Sequence, residues 1–171
     1  IVEQLVLISN LTDENEALSV ENSTLSSKIT VLSETVSKKA EVEDAISQEL
    51  VENALPKGFP LSGSASMEEA AEGDPMLMFT ATEGVNIITT GTGTVISVDV
   101  DPEYGTKIIL DHGNGYSSIY RNNGTPLVKT GEELGKGYIL FTVGEENQKL
   151  GYQIMKDEEI IDPMYIIEIS G

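Results

Sequence analysis

His112 is the only histidine in the chain, and cysteine is absent. The histidine stands in the segment DHGNG, residues 111–115, which predicts a strand end followed by a turn. A catalytic zinc ion takes three histidine or carboxylate ligands and leaves a fourth position open. Because His112 has no companions at ligand spacing, we interpret it as a structural or exposed turn histidine.

His112 could also act as the base for a serine nucleophile, because two serines lie near it in the sequence. Ser117 and Ser118 follow the histidine, and a serine with a base within hydrogen-bond reach can act as a nucleophile. Such serines are often presented by a Gly-x-Ser-x-Gly turn, and that motif does not occur here. Both serines fall within one predicted strand, which argues against a serine nucleophile.

Two further segments have the composition of ligand-binding loops. The segment DVDPEYG, residues 99–105, begins like a calcium loop, but a proline interrupts it and Leu110 stands where the closing bidentate glutamate would be. We interpret it as an acidic hairpin turn. The segment GTGT, residues 91–94, lacks the helix and the lysine that phosphate binding requires, so we predict a connection between strands.

The charge of the chain bears on its partners. The sequence has 29 Asp and Glu residues against 10 Lys and Arg residues, a formal net charge of -19. Nucleic acids are bound through Lys and Arg residues that neutralise phosphates, so we expect no nucleic-acid partner. A negative charge of this size can steer a basic partner toward the protein.

The chain has two halves of different composition, and the segments above all lie in the second half. Residues 1–55 contain neither glycine nor proline, whereas residues 56–171 contain all 16 glycines and all six prolines. Pro56 and Gly58 together form a helix-stop signal. We therefore predict two domains, a helical stalk over residues 1–55 and a globular domain over residues 56–171.

The helical half has a leucine-zipper pattern. Its a positions are Ile1, Ile8, Asn15, Asn22, Ile29 and Val36, and its d positions are Gln4, Leu11, Leu18, Leu25 and Leu32. This pattern predicts a parallel coiled coil, and asparagine at two a positions, Asn15 and Asn22, favours a homodimer in one register. The alternative is an amphipathic helix folded back on the globular half, but the apolar stripe is narrow for that arrangement.

The globular half has the pattern of short strands. Apolar and polar residues alternate over residues 94–100 and 106–110, and turn residues recur every eight to twelve positions. This spacing predicts an antiparallel β sandwich or barrel. The expected fold class is thus a long coiled coil followed by an all-β domain.

Several segments of the globular half occur in a characteristic order. They are FPLSG (59–63), GTGTVISV (91–98), YGTKIILDHGNGYSSIY (104–120), VKTGEELGKGYIL (128–140) and IIDPMY (160–165). Together they resemble the lysostaphin-type or LytM-like zinc endopeptidases, which cut peptidoglycan cross-links. The resemblance implies an antiparallel β fold of the duplicated-hybrid-motif type, with a groove across one sheet.

The resemblance also identifies positions that differ from the family. Members hold zinc with a His-x-x-x-Asp pair and the second histidine of a His-x-His motif. Here Asp74 and Met78 stand at the first pair, and Lys149 and Gly151 stand at the two later histidines. Asn122 stands at the remaining catalytic histidine, in a Tyr-x-His segment. We therefore expect no catalytic residue, no metal and no cofactor, and we regard these five positions as a vestigial groove.

These observations predict a non-catalytic LytM-like domain on a dimeric stalk. Its expected role is that of an extracytoplasmic scaffold, binding module or regulator of cell-wall hydrolysis, and its expected partner is an envelope protein or peptidoglycan. One alternative is a peptidoglycan metalloendopeptidase with an atypical metal site built from carboxylates such as Asp74. Another is a binder of wall glycan or stem peptide. Docking is expected in the groove, with the stalk or an acidic outer surface as the alternative.

The beginning of the chain predicts an anchored protein. The apolar stretch of residues 1–8 is far shorter than the ~20 residues that span a bilayer. The chain nevertheless begins directly in a helical repeat. We expect the natural N-terminus further upstream, with a segment there that anchors the protein to the bacterial cell membrane.

Overall fold

The computed structural model describes residues 1–69, 71 and 75–168. Within these residues one long α-helix precedes a series of antiparallel strands and a short 3-10 helix. The elements are α1 (Val2–Ala54), β1 (Ala65–Glu69), β2 (Leu77–Ala81), β3 (Asn86–Ile88), β4 (Gly93–Asp101), β5 (Gly105–Gly113), β6 (Tyr116–Asn122), β7 (Glu133–Leu134), β8 (Ile139–Thr142), β9 (Lys149–Lys156), β10 (Glu159–Ile161) and the 3-10 helix Pro163–Tyr165. The predicted order, a long helix followed by an all-β antiparallel domain, is confirmed.

Helix α1 forms over a stretch without glycine or proline and ends two residues before Pro56. All of its residues are described, and none is buried. The leucines at the d positions are roughly half exposed, as Leu18 at 50% and Leu25 at 47% show. Contacts divide the chain into two compact units, Ile1–Gln48 and Glu49–Gly171. In the part of the chain that the structure describes, no helix combines the length and the apolar character needed to cross a bilayer.

Within the second unit, the last turn of α1 contacts the GTGT segment. The amide of Thr92 donates a hydrogen bond to the carbonyl oxygen of Asn53 at 2.9 Å. A Cβ atom on Gly91 would lie only 2.6 Å from the carbonyl oxygens of Ala54 and Leu55. The close approach therefore requires glycine at this position, and the segment leads directly into β4.

The larger sheet has eight antiparallel strands in the order β1-β2-β9-β6-β5-β4-β7, and β10 also pairs with β9. The smaller sheet consists of β3 and β8. Side chains from both sheets join in one core, in which Phe79, Tyr120 and Tyr152 from the larger sheet and Ile87 and Phe141 from the smaller sheet are fully buried. Burying each such side chain stabilises the fold by roughly 1.5–3 kcal/mol. We call the other face of the larger sheet, which points away from this core, the outer face.

Candidate binding groove on the outer face

Strand alternation assigns the residues of β9 to the two faces of the larger sheet. Leu150, Tyr152 and Ile154 are buried in the core. Gly151 and Gln153 therefore lie on the outer face, because successive residues of a strand point in opposite directions. Residues paired with them across neighbouring strands share that face. The candidate groove is the part of the outer face formed by Gly151, Gln153 and the residues that pair with them from the neighbouring strands.

Met78 and Gly151 are two predicted positions that the structure brings together. They are direct partners in the pairing of β2 with β9. A Cβ atom on Gly151 would lie 3.5 Å from the sulfur of Met78 and 3.1 Å from the sulfur of Met76. Both methionines are buried. Two thioethers thus occupy the space beside the glycine and make this part of the groove apolar and adaptable.

Arg121 is the charged centre of the groove. It pairs with Gly151 from the other side, in β6. Its Nε atom donates to Oδ2 of Asp101 at 3.1 Å, and its Nη1 atom donates to Oε1 of Gln153 at 2.6 Å. Arg121 was not predicted from the sequence as a site residue. The signal that would have identified it is alternation, which places it on the face opposite its buried neighbour Tyr120.

Asp101 is held in its ionised form. Burial acts to raise the pKa of its carboxyl, but hydrogen bonds from the amides of Tyr104 and Glu103, together with Arg121, outweigh burial and lower this pKa below its ordinary value. The side chains of Arg121 and Asp101 are 17% and 14% exposed. Together with Met76 and Gln153 these residues line a cavity of about 270 Å³. The groove therefore offers a fixed ion pair beside an apolar surface.

Asn122 has a different environment from the other predicted positions. Alternation turns its side chain to the face opposite that of Arg121. Its Nδ2 atom donates to the backbone carbonyls of Asn147 and Lys149, both at 2.8 Å, and its Oδ1 atom accepts from the amide of Gly124. The buried Asn122 amide thus stabilises the loop before β9. Lys149 lies exposed at the first position of that strand.

Zinc does not fit the side chains that the sequence resemblance assigns to the family's ligand positions. Met78 provides a thioether, Gly151 has no side chain, and the neighbouring Lys149 carries a positive charge. Protein zinc sites use imidazole, carboxylate or thiolate groups instead. Asp74 lies outside the described residues. Across residues 1–69, 71 and 75–168, no three His, Asp or Glu side chains come together as a metal-binding group.

His112 is a structural histidine inside the domain. His112 continues the inward alternation of Ile108 and Leu110 along β5, and its ring is 5% exposed. Its Nδ1 atom lies 2.8 Å from the carbonyl oxygen of Thr92, and its Nε2 atom lies 2.7 Å from Oγ of Ser118. A carbonyl oxygen can only accept, so Nδ1 carries the proton and Nε2 accepts from the Ser118 hydroxyl. Ser118 is fully buried, so this pair is inaccessible to a substrate.

The hydrogen bonds continue from Ser118 through the core. The hydroxyl of Tyr120 bonds to Ser118 and lies 3.0 Å from Oγ1 of Thr90. Because the Ser118 proton goes to His112, Tyr120 donates to Ser118 and Thr90 donates to Tyr120. Tyr152 in turn donates to Thr90 at 3.0 Å. Burial raises the pKa of both tyrosines and lowers the pKa of His112, so every member of this buried chain is neutral.

Comparison with known proteins identifies one family and one curated relative. The sequence model of Peptidase family M23 matches residues 75–163, just over half of the chain. The chain is 28% identical over 119 residues to the "Uncharacterized lipoprotein YgeR" of Escherichia coli (strain K12), an alignment that covers 66% of this chain and 47% of the relative. The chain thus spans about half the length of this curated relative.

Solved structures with a similar fold include proteins of different sizes. Csd3 of Helicobacter pylori superposes with a TM-score of 0.52 at 21% identity, covering 66% of this chain and 34% of that one. A chain of the SpoIIIAH and SpoIIQ complex superposes with a TM-score of 0.52 at 17% identity, covering 63% of this chain and 96% of that one. At sequence identities this low, the structural similarity shows a shared fold and nothing further.

Proposed function

The chain belongs to peptidase family M23, and from that membership we propose that it is a member without peptidase activity, acting outside the cytoplasm as a scaffold, binding module or regulator of cell-wall hydrolysis. The proposal rests on the chemistry of the groove. A hydrolytic metal site needs ligands and proton-transfer groups at the same place. At the positions that the resemblance assigns to these groups, this chain has Met78, Asn122, Lys149 and Gly151.

The observation that supports loss of catalysis is the packing around Gly151. A Cβ atom on residue 151 would lie 3.1 Å from the sulfur of Met76 and 3.5 Å from that of Met78, so a ligand side chain there would have to share space with both thioethers. The guanidinium of Arg121 is engaged by Asp101 and Gln153. A thioether pocket beside an ion pair favours binding of a ligand over activation of water.

We propose an extracytoplasmic, membrane-anchored location. Two findings support this location. The chain is similar to a lipoprotein, and it belongs to peptidase family M23, which the resemblance described above connects with the cell wall. The anchor would act through the N-terminal side of the chain, which leaves the β domain free to reach a partner. A 53-residue helix extends roughly 80 Å at 1.5 Å per residue.

We further propose that the groove is the docking surface for an envelope protein. A protein of the same fold is assembled with another protein in the SpoIIIAH and SpoIIQ complex. In this chain the exposed Lys149 offers a positive charge in an acidic molecule, and the buried thioethers of Met76 and Met78 can adjust their packing to a bound partner. Fold and concavity can persist after the chemistry of a site has changed.

The stalk is proposed to form a parallel homodimer. The apolar a and d residues of α1 are exposed, and water contact with such a continuous stripe is unfavourable. A second copy would cover the stripe, and Asn15 and Asn22 would each face the same residue of the other copy. Dimerisation would present two β domains to the partner at once, which raises avidity.

Metal analysis and a peptidoglycan digest test the loss of catalysis. The purified chain is incubated with zinc, dialysed and analysed by mass spectrometry, and then mixed with purified peptidoglycan. We expect substoichiometric zinc and no release of soluble wall peptides. Stoichiometric zinc that is lost in an Asp74→Asn variant, together with chelator-sensitive release of wall peptides, would instead establish the atypical metalloendopeptidase.

Capture from an envelope extract tests the docking surface. The wild type is compared with Lys149→Glu and with Lys129→Glu, a matched reversal of charge at another exposed lysine. We expect Lys149→Glu to reduce capture of the same partner by about tenfold, as for truncation of an interface charge. Equal capture by the two variants would remove the groove as the docking surface. Retention on purified peptidoglycan alone would favour a wall binder.

A further inference from the structure

A second cavity lies on the outer face at the other end of β9 from Gly151. Its volume is about 580 Å³. Three apolar side chains, Ile96, Ile109 and Met155, line it together with three carboxylates, Asp111, Asp157 and Glu158. Met155 is four residues beyond Gly151, a separation of about 13 Å along a strand. We call this cavity the carboxylate-rimmed pocket, and it is separate from the groove described above.

The apolar part of the pocket continues onto the surrounding surface. Ile109 and Met155 are partly buried, whereas Ile96 is 50% exposed. Ile96 is the extra residue of a bulge in β4 and has no partner in β5, and bulges commonly re-aim a side chain. Ile160 pairs with Met155 from β10 and is also half exposed. The outer face therefore has an apolar floor that is accessible to a partner.

The polar part of the pocket is negative. Asp111, Asp157 and Glu158 are exposed at its edge. Lys156 lies 3.6 Å from Asp157 and balances one of these charges, while its ammonium group also sits over the ring of Tyr116. Lys156 thus balances one of the three negative charges, and the edge of the pocket keeps a net negative charge. Within the described part of the chain these carboxylates do not form a metal-binding group.

We propose that the carboxylate-rimmed pocket binds a lysine or arginine side chain of a partner protein, presented between aliphatic residues. Lysine and arginine have an apolar stem and a cationic end. The stem matches the floor of Ile96, Ile109 and Met155, and the cationic end matches the rim. The net charge of -19 would attract a basic segment.

A titration with a short peptide tests this proposal directly. The probe is an end-capped peptide of sequence Ser-Leu-Lys-Leu-Ser, and its control has norleucine in place of lysine. Each is added to the full ¹⁵N-labelled chain, and amide shifts are followed by NMR. We expect saturable shifts at Ile96, Asp111, Met155 and Asp157 with the lysine peptide, and affinity at least tenfold lower for the norleucine peptide.

Matched variants of the chain separate the pocket from the overall charge. Asp111→Asn, Asp157→Asn and Glu158→Gln together should lower affinity at least tenfold, and Ile96→Ser should lower it several-fold. The control triple variant removes the same charge at exposed carboxylates outside the pocket, Glu83→Gln, Glu145→Gln and Glu146→Gln, and should bind like the wild type.

Three outcomes would overturn the proposal: no saturable shifts, equal loss of affinity in both triple variants, or displacement of the peptide by a soluble muropeptide. The readout is peptide binding alone, so it does not depend on whether the chain binds zinc, cleaves peptidoglycan or uses the groove around Met78 and Gly151.

Discussion

Met78 in β2 and Gly151 in β9 are direct cross-strand partners, and the Met78 sulfur lies 3.5 Å from where a Cβ atom of residue 151 would be. The two residues therefore share one packed space on the outer face. The absence of a side chain at residue 151 makes room for the thioether groups of Met78 and Met76. A larger residue at position 151 would have to share this space with them.

Gly151→His should destabilise the domain by about 1–3 kcal/mol, the usual cost of overpacking. The imidazole would compete with the sulfur atoms of Met76 and Met78 for space. Met78→Ala should relieve part of that cost, so the double variant should be more stable than the sum of the two single effects predicts. Urea unfolding of the four proteins measures this coupling. Additive effects would show that Met78 and residue 151 do not share space.

The sequence predicted the types of secondary structure better than it predicted the contacts between strands. Alternation and the family resemblance correctly placed a long helix before an antiparallel β domain. His112 is buried in phase with Ile108 and Leu110, but the sequence analysis ended the strand and began a turn in the DHGNG segment, so a turn histidine and a buried histidine could not be distinguished. The ion pair of Arg121 with Asp101 joins residues 20 positions apart, and the position of such a pair depends on the strand register, which turn spacing alone does not define.

Asp101→Asn should lower the free energy of unfolding by roughly 1–3 kcal/mol. The substitution leaves the guanidinium of Arg121 largely buried without its ionised partner. Because the pKa of Asp101 is lowered in the folded state, its contribution is present above its ordinary pKa and is lost as the pH falls through the folded pKa. Urea unfolding at neutral pH gives the size of the effect.

Glu103→Gln is the matched control for Asp101→Asn, because it removes one charge from an exposed neighbour in the same turn. It should change stability by less than about 0.5 kcal/mol. If both variants lose the same stability, the ion pair contributes no more than surface charge does.

Asn15→Ile combined with Asn22→Ile should raise the thermal stability of the stalk and loosen its oligomeric state toward trimers. Asparagine at an a position selects a dimer but lowers the stability of the coiled coil. Isoleucine at the same position removes both the selection and the loss of stability. Circular dichroism and light scattering of the full chain measure the two changes. Asn10→Ile, at an outer position of the same helix, should leave the oligomeric state unchanged.

The dimer itself can be rejected by a simpler measurement. The full wild-type chain should scatter light as a dimer at tens of micromolar, and Leu18→Ser with Leu25→Ser should reduce it to a monomer, because both leucines lie at d positions. A monomeric wild type, or a double serine variant that remains a dimer, would show that the apolar stripe of α1 has another role.

Lowering the pH from about 7.5 to about 5.5 should destabilise the domain through His112. Burial lowers the pKa of His112 in the folded state, whereas the unfolded chain has the ordinary value near 6.5. The unfolded state therefore binds a proton first. The contribution of His112 is complete above the ordinary pKa and is lost as the pH falls from there toward the lowered folded pKa.

His112→Gln isolates this effect, since the chain has no other histidine. A protonated His112 would donate from Nε2, but Ser118 already uses its own proton toward that nitrogen and accepts from Tyr120. Protonation would therefore reverse a chain of buried hydrogen bonds. The glutamine variant should lose about 1–3 kcal/mol at neutral pH and show a flat pH profile by urea unfolding between about pH 7.5 and about pH 5.5. A wild-type profile that is equally flat, or one that rises as the pH falls, would contradict a neutral His112 in the folded domain.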